Sequence, residues 1–193
     1  MVFVLRSIAL LALTVLLAGC GAGSTPEPTT KIDPVQILRI LPTPQGLDQS
    51  SDIAVIDAAR LQTLLAGVTS AEAAKVYEEI GFREAAVRTW SGAGGAHVVA
   101  IVSRWPDHQK ATNVGGGAVQ RLLDTSGAAA WTPRQLAGDR GARLTNDGSA
   151  AIRMLSLAVD DVGLLVRSDG PVTDDAIIRT MDLLTRPVRA ATP

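Results

Sequence analysis

The sequence has few of the residues that carry most covalent and metal chemistry. It contains one cysteine, Cys20, and two histidines, His97 and His108, and aromatic residues make up 3% of its 193 residues. A single cysteine cannot form a disulfide within the chain, and it excludes zinc sites built from several cysteines. Because two histidines without ligand spacing make a poor metal site, we expect both at the surface or at a strand edge, with no metal and no cofactor.

The motifs of common catalytic and nucleotide sites are also missing. The sequence has neither a G-x-S-x-G elbow nor a Ser-x-x-Lys pair. The triplet Gly115-Gly116-Gly117 is followed by no lysine, which excludes a P-loop. We predict a packing or hinge role for these glycines. Since each costs about 1 kcal/mol inside a helix, we expect a break, a kink or a loop there.

Adjacent acidic residues have local explanations. Asp160-Asp161 is typical of a turn, Asp174-Asp175 of a first helical turn, and Glu78-Glu79 of a helix surface. Catalytic carboxylates must converge in a cleft, and nothing in the sequence indicates that these do. We therefore assign no catalytic residue. The pattern favours a protein that is not an enzyme and leaves catalysis open.

The charge of the chain is balanced. It has 18 basic and 19 acidic residues, a formal net charge of −1, with no run of like charges. Nucleic-acid binding needs a clustered basic face. We expect no nucleic-acid partner.

The N-terminus carries the most specific motif of the chain. An apolar run from Ile8 to Leu17 follows Arg6 and ends in Leu17-Ala18-Gly19-Cys20. The run has little more than half of the roughly 20 residues that a spanning helix needs, and it has the proportions of a removable signal. An ordinary secretory signal does not require a cysteine at the cut.

These four residues resemble the bacterial lipobox. The resemblance implies that diacylglycerol is joined to the sulfur of Cys20 and that the signal peptidase recognises Leu17, Ala18 and Gly19. Cleavage before Cys20 then leaves it as the acylated, palmitate-bearing first residue. The implied location is the extracytoplasmic face of the cell membrane, with the membrane as partner through this lipid.

The domain organisation follows from that motif. Residues 1–19 form the signal peptide, residues 20–31 a lipidated flexible tether rich in small residues and proline, and residues 32–193 a single domain. Removing the leader takes away one basic residue, Arg6, so the net charge of −1 becomes −2. The body keeps no thiol, which excludes cysteine proteases and thiol oxidoreductases.

The pattern of the body predicts alternating helices and hairpins. Helices are predicted after the Asp33-Pro34 start, from Ala58, after the capping box Thr69–Glu72, near 107–124 and after Thr173. Strands are predicted at 85–90, 97–104, 140–145, 149–159 and 162–167, with a tight turn at Asn146-Asp147-Gly148. The fold class is α+β: two layers, a mainly antiparallel sheet of about five strands, and helices packed on one face.

The body also resembles a group of proteins. The residues that carry this resemblance are Gly81-Phe82, Arg88-x-Trp90, Trp105, Trp131-x-Pro133 and Gly170-Pro171-Val172-x-Asp174. They look like those of small, uncharacterised exported lipoproteins of high-GC actinobacteria, some of them similar to extracellular sensor-like α+β domains. The resemblance covers about residues 50–187 and supports fold more than activity.

The expected function is that of a membrane-anchored, non-enzymatic binding, sensor-like or accessory domain of the cell envelope. Its partner is an unknown envelope protein, lipid or glycan. One alternative is an envelope hydrolase acting on carbohydrate or lipid, which needs two acids beside Trp105 or Trp131. Another is a structural subunit of an envelope complex, which needs a flat exposed apolar patch.

The tryptophans Trp90, Trp105 and Trp131 are expected in the core, with an aromatic-lined pocket as the alternative.

Overall fold

The computed structural model describes residues 32–66, 71–136, 140–144 and 152–192. Its helices are α1 (Pro34–Arg39), α2 (Ala58–Ala66), α3 (Ala71–Glu79), α4 (His108–Ser126) and α5 (Asp174–Ala191). Its strands are β1 (Gln49–Ser50), β2 (Ala54–Ile56), β3 (Glu84–Ser91), β4 (His97–Arg104), β5 (Ala129–Ala130), β6 (Arg140–Leu144), β7 (Ile152–Val159) and β8 (Val162–Asp169). The lipobox, the tether and the predicted turn at Asn146-Asp147-Gly148 lie outside these residues.

All strands form one antiparallel sheet in the order β1-β3-β4-β8-β7-β6-β5, with β2 also paired to β3. The five long strands are those that the sequence predicts, and three short ones extend the sheet. The prediction of an α+β fold with a mainly antiparallel sheet is confirmed. The central β4–β8 pairing joins strands far apart in sequence, and it places His97 opposite Asp169.

Helices cover both faces of the sheet, which corrects the predicted two-layer arrangement. Helices α1 and α5 pack on what we call the first face, over Val98, Ala100 and Val102 of β4. On the second face, α4 packs over β6, β7 and β8, α2 shares one apolar cluster with Val99 and Ile101 of β4, and α3 packs on α2. Since successive side chains of a strand point to opposite faces, the unbroken apolar run of β4 buries both. Such a run is typical of a strand covered on two sides.

Helix ends follow the predicted capping chemistry where the structure describes them. The Asp33 carboxylate accepts from the Val35 amide at 2.8 Å, and the Thr173 hydroxyl accepts from the Ala176 amide at 3.3 Å. Thr69 and Ser70 of the predicted capping box lie outside the described residues. Helix α5 presents one apolar stripe to the sheet, and its residues Ile177, Met181 and Leu184 are fully buried in the core of the first face.

Two details of the helices differ from the sequence prediction. Helix α4 runs through Gly115-Gly116-Gly117 without the expected break. A Cβ on Gly115 would lie 2.0 Å from Ser156 Oγ of β7, so this glycine lets the helix approach the sheet closely. In α3, helical spacing places Val76 on the apolar face with Tyr77 and Ile80, but Val76 is 49% exposed and Ala74 is buried instead. Among the described residues, no helix is long and apolar enough to cross a membrane.

Candidate functional site

A crevice opens on the second face, where α2 lies over β4 and β8. It has a volume of about 230 Å³. We call these residues the crevice: Thr63, Leu64, His97, Val99, Ile101, Leu165, Arg167 and Asp169. Its wall is α2, and its floor is a pair of neighbouring strands.

Strand register explains why these residues meet. Three directly opposed pairs form the floor: His97–Asp169, Val99–Arg167 and Ile101–Leu165. Each pair is two residues from the next, so all six side chains point to the same face. Directly opposed side chains in an antiparallel pair lie about 4.5–5.5 Å apart at Cβ. The crevice therefore changes from polar at its mouth to apolar inside.

The mouth is built around the Arg167 guanidinium. Its Nη2 donates to Asp169 Oδ1 at 3.0 Å, and both side chains are about one-third exposed. The Nε atom of Arg167 is buried and has no hydrogen-bond partner among the described residues. Buried donors are nearly always satisfied by protein, water or ligand. The partly exposed guanidinium of Arg167 places a positive charge at the mouth of the crevice.

A second, nearly filled space continues the crevice inward between α2 and α4. It shares Ile101 and Leu165 with the crevice, and its volume of about 10 Å³ holds at most about one water molecule. Its inner end is closed by satisfied polar groups. The Ser103 hydroxyl accepts from Trp105 Nε1 at 2.9 Å and lies 3.3 Å from the carbonyl oxygen of Gly163, to which it donates.

The two histidines lie in different surroundings. His97 is the first residue of β4, and its side chain lines the crevice. His108 is exposed at the start of α4, 3.4 Å from the Thr112 hydroxyl. Among the described residues, no group of three metal-ligating side chains forms.

The acidic pairs do not converge in the crevice. Asp161 is buried and its Oδ2 accepts from Arg104 Nη2 at 2.9 Å, while Asp174 pairs with Arg153 at the start of α5. Glu79 pairs with Lys75 on the exposed face of α3. Of the described residues that line the crevice, Asp169 alone carries a carboxylate, and it was not predicted from the sequence.

Among the described residues that line the crevice, no serine lies beside His97. Ser103 lies six residues along β4 from His97, which at about 3.3 Å per residue places them about 20 Å apart. A triad needs hydrogen-bond contact between nucleophile and base. The arrangement suits binding, with one cation, one anion and one imidazole above an apolar floor.

The tryptophans are core residues, as predicted. Trp90 and Trp105 are fully buried, and Trp131 is half-buried against the core of the first face. Trp105 packs edge-on against Tyr77 and Phe82, with ring centroids 5.8 Å and 5.5 Å away. None of the three lines the crevice.

A second groove lies on the first face between the loop after α1 and helix α5. Its volume is about 370 Å³, and Arg179 and Leu183 of α5 contribute to its wall. Both the loop and the charged wall are largely solvent-exposed. This groove lies on the opposite side of the sheet from the crevice, so Arg179 and Leu183 serve below as control positions for variants of the crevice.

Sequence reasoning missed Arg167, Asp169 and Thr63. A signal for the first two was present, because alternating charges end an otherwise apolar strand, Val162–Asp169. Which strand would lie beside β4, and therefore that Arg167 would oppose Val99, depends on the long-range β4–β8 pairing.

The chain shares its fold with a known extracellular domain. The extracellular domain of PknH from Mycobacterium tuberculosis is similar, with a TM-score of 0.52 and 12% identity over 74% of this chain and 84% of that chain. An uncharacterized protein from Mycobacterium smegmatis matches 86% of this chain and 99% of that chain, with a TM-score of 0.39 and 12% identity. The sequence matches no protein-family model and no curated protein. At 12% identity the first similarity shows a common fold and transfers no residue role.

Proposed function

We propose that this chain is a lipid-anchored, extracytoplasmic binding domain of the cell envelope, with a sensor-like or accessory role and no catalytic step. Its partners are the membrane, through lipid on Cys20, and a small envelope ligand that occupies the crevice. The observation that carries this proposal is the crevice itself. It is an open, charged and apolar cavity on a sheet face that is otherwise covered by helices.

Two further observations support the location. The lipobox-like Leu17-Ala18-Gly19-Cys20 motif closes an N-terminal apolar run of signal length. The fold resembles a domain that is described as extracellular. A tether of about twelve residues after the cut gives the body freedom to reach ligands near the membrane.

The chemistry of the crevice favours binding over turnover. Ligand sites are typically apolar with a few placed polar groups, and here Val99, Ile101 and Leu165 provide the apolar part. Arg167 and His97 provide the polar part. The single carboxylate, Asp169, is already paired with Arg167.

The experiment isolates the processed full chain from its own host membranes in phospholipid nanodiscs and measures bound mass by native mass spectrometry. We expect the parent protein to carry a small molecule. Leu64→Trp, which fills the crevice beside α2, should lose it. Leu183→Trp, a matched change of a half-buried leucine in the groove on the opposite face, should retain it.

Two results contradict the proposal. One is a parent protein without bound molecule. The other is equal occupancy in the Leu64→Trp and Leu183→Trp variants. If incubation of the purified protein converts the bound molecule to one of different mass, the domain is an enzyme and the non-catalytic part of the proposal is wrong.

A further inference from the structure

We infer that the crevice binds a small amphipathic anion, a carboxylate or phosphate that carries a short apolar chain. This inference rests on the proposed binding function and names the chemical class of its ligand. Three observations point to that class: the donors at the mouth, the apolar floor and the size of the cavity.

The mouth offers hydrogen-bond donors to an anion. Arg167 already uses Nη2 on Asp169, and its buried Nε–H has no partner among the described residues. A carboxylate or phosphate oxygen accepts hydrogen bonds from the exposed part of the guanidinium, and charge-assisted bonds of this kind are roughly twice as strong as neutral ones. His97 stands on the neighbouring strand, opposite Asp169, and can donate a second bond.

The negative charge of Asp169 repels an anion at the mouth and so lowers the affinity of the crevice for it. Its carboxylate accepts from Nη2 of the guanidinium at 3.0 Å and already neutralises part of the positive charge that a ligand anion would meet. Removing the Asp169 charge should therefore tighten anion binding. A cationic ligand would be weakened by the same change, so the sign of this effect distinguishes the two classes.

The floor accommodates an apolar chain behind the anionic group. Val99, Ile101 and Leu165 are each less than one-tenth exposed, and Leu64 covers them from α2. From His97 to Ile101 the strand advances four residues, about 13 Å at 3.3 Å per residue. The polar-to-apolar order along this path matches a head group followed by a chain.

The size of the crevice limits the ligand. Its volume of about 230 Å³ is below the roughly 300–1,000 Å³ of pockets for drug-sized molecules. The inner space beyond Ile101 and Leu165 is filled to within about 10 Å³. A single short chain fits this space, and a drug-sized molecule does not.

The test measures binding of defined probes to the processed full chain in nanodiscs, by calorimetry and by amide and methyl NMR shifts. Octanoate and octyl phosphate carry both features, octanol carries only the chain, and acetate and inorganic phosphate carry only the charge. Empty nanodiscs correct for partition of each probe into lipid. We expect octanoate or octyl phosphate to shift crevice residues and to bind about tenfold more tightly than the partial probes.

Variants connect the binding to the named residues. Arg167→Gln should weaken binding of octyl phosphate by about tenfold or more, because a charge-assisted bond is lost. Arg179→Gln, an arginine on the opposite face, should change it less than about twofold. Asp169→Asn should strengthen it. Since Arg167→Gln also breaks an ion pair, Leu64→Trp against Leu183→Trp tests the same site without altering a charge.

Several outcomes overturn the inference. These are no binding of either anionic amphiphile, octanol binding as tightly as octanoate, inorganic phosphate binding as tightly as octyl phosphate, or equal effects of Arg167→Gln and Arg179→Gln. A neutral molecule from host membranes that is lost in Leu64→Trp would overturn this inference and leave the proposed function standing. Absence of any host-derived ligand would overturn the proposed function, whatever the probes do.

Discussion

Gly115 of α4 lies directly over Ser156 of β7, so closely that a Cβ on the glycine would be 2.0 Å from the serine Oγ and 3.2 Å from its Cβ. Contact between a helix backbone and a strand side chain at this distance is open only to glycine. Two residues further on, Gly117 faces open space, with no neighbouring atom within 4 Å of the position that a Cβ would take. The two glycines therefore have opposite structural meanings within one helix.

The glycine pair gives the first prediction. Gly115→Ala should destabilise the fold by about 1–3 kcal/mol, because overpacking shifts α4 from the sheet. Gly117→Ala should stabilise it by about 0.5–1 kcal/mol, because alanine favours the helix. Urea unfolding measures both. When Ser156 is also changed to Ala, Gly115→Ala should destabilise the fold less. Equal changes in the free energy of unfolding for Gly115→Ala and Gly117→Ala would contradict this packing.

The second prediction concerns the buried ion pair of Arg104 and Asp161. Asp161 is 2% exposed and Arg104 is largely buried, so Asp161→Ala leaves Arg104 with only the weaker, half-exposed partner Glu84 at 3.4 Å. We expect a loss of about 1–3 kcal/mol in the free energy of unfolding. The exposed pair of Asp182 and Arg186 is the control, and Asp182→Ala should cost less than about 1 kcal/mol. Similar losses in the two variants would show that the Arg104 pair is solvated.

The third prediction concerns Tyr77, the only tyrosine of the chain. Burial raises the pKa of Tyr77 above its ordinary value of 10.0, and the positive charge of Arg121 acts in the opposite direction. The folded protein therefore keeps this proton at a pH where the unfolded chain loses it. Because the pKa of Tyr77 is higher in the folded state, the free energy of unfolding should fall as pH rises above about 10.

Absorbance at 295 nm follows tyrosine ionisation, and here it reports one residue. We expect a midpoint above that of the chain in urea, and Arg121→Gln should move it further upward. Tyr77→Phe should remove this part of the alkaline loss of stability. A folded-state midpoint at or below the unfolded one would contradict the burial of Tyr77 beside Trp105.

The fourth prediction is lipidation at Cys20. In the native host, globomycin or Cys20→Ser should block processing before residue 20 and prevent lipid attachment. Mass spectrometry of the processed N-terminus and membrane fractionation measure the outcome. A Cys20→Ser protein that is cut at the same place and still partitions with the membrane would show that the lipobox interpretation is wrong.

The fifth prediction is that the chain from Lys31 onward folds alone as a monomer and is indifferent to reductant, since it contains no cysteine. Met181→Asp should unfold it, because Met181 is fully buried and burial of a charge costs several kcal/mol of a total of about 5–15. Met181→Leu keeps the apolar volume and serves as control. Circular dichroism melting of both variants decides whether α5 packs as described.

Local signals in the sequence were sufficient for most elements. Asp33-Pro34 and Thr173 start helices because their side chains satisfy free amides within the same turn. The hairpin of β7 and β8 follows from the turn at Asp160-Asp161, because Val159 and Val162 on either side of it pair directly. The α5 stripe around Met181 follows from helical periodicity. These features depend on neighbours in sequence.

The number of layers was predicted wrongly for a reason that lies in β4. Its run from Val98 to Val102 is apolar at every position, so both faces need cover. The expectation of helices on one face treated the strands as alternating. The break predicted at the glycine triplet was also wrong. Helix propensity disfavours glycine, but the close contact between Gly115 and Ser156 requires it.

The sequence alone determined the class of the protein: the elements, their caps and hairpins, the absence of disulfides in the body and the lipobox-like start. The tertiary structure decided the site. His97 lies seventy residues before Arg167 in the sequence, and it meets Arg167 and Asp169 only because β8 pairs with β4 in one register. A shift of one residue would send Arg167 to the other face of the sheet. Register is a property of long-range packing, and no local pattern in the chain specifies it.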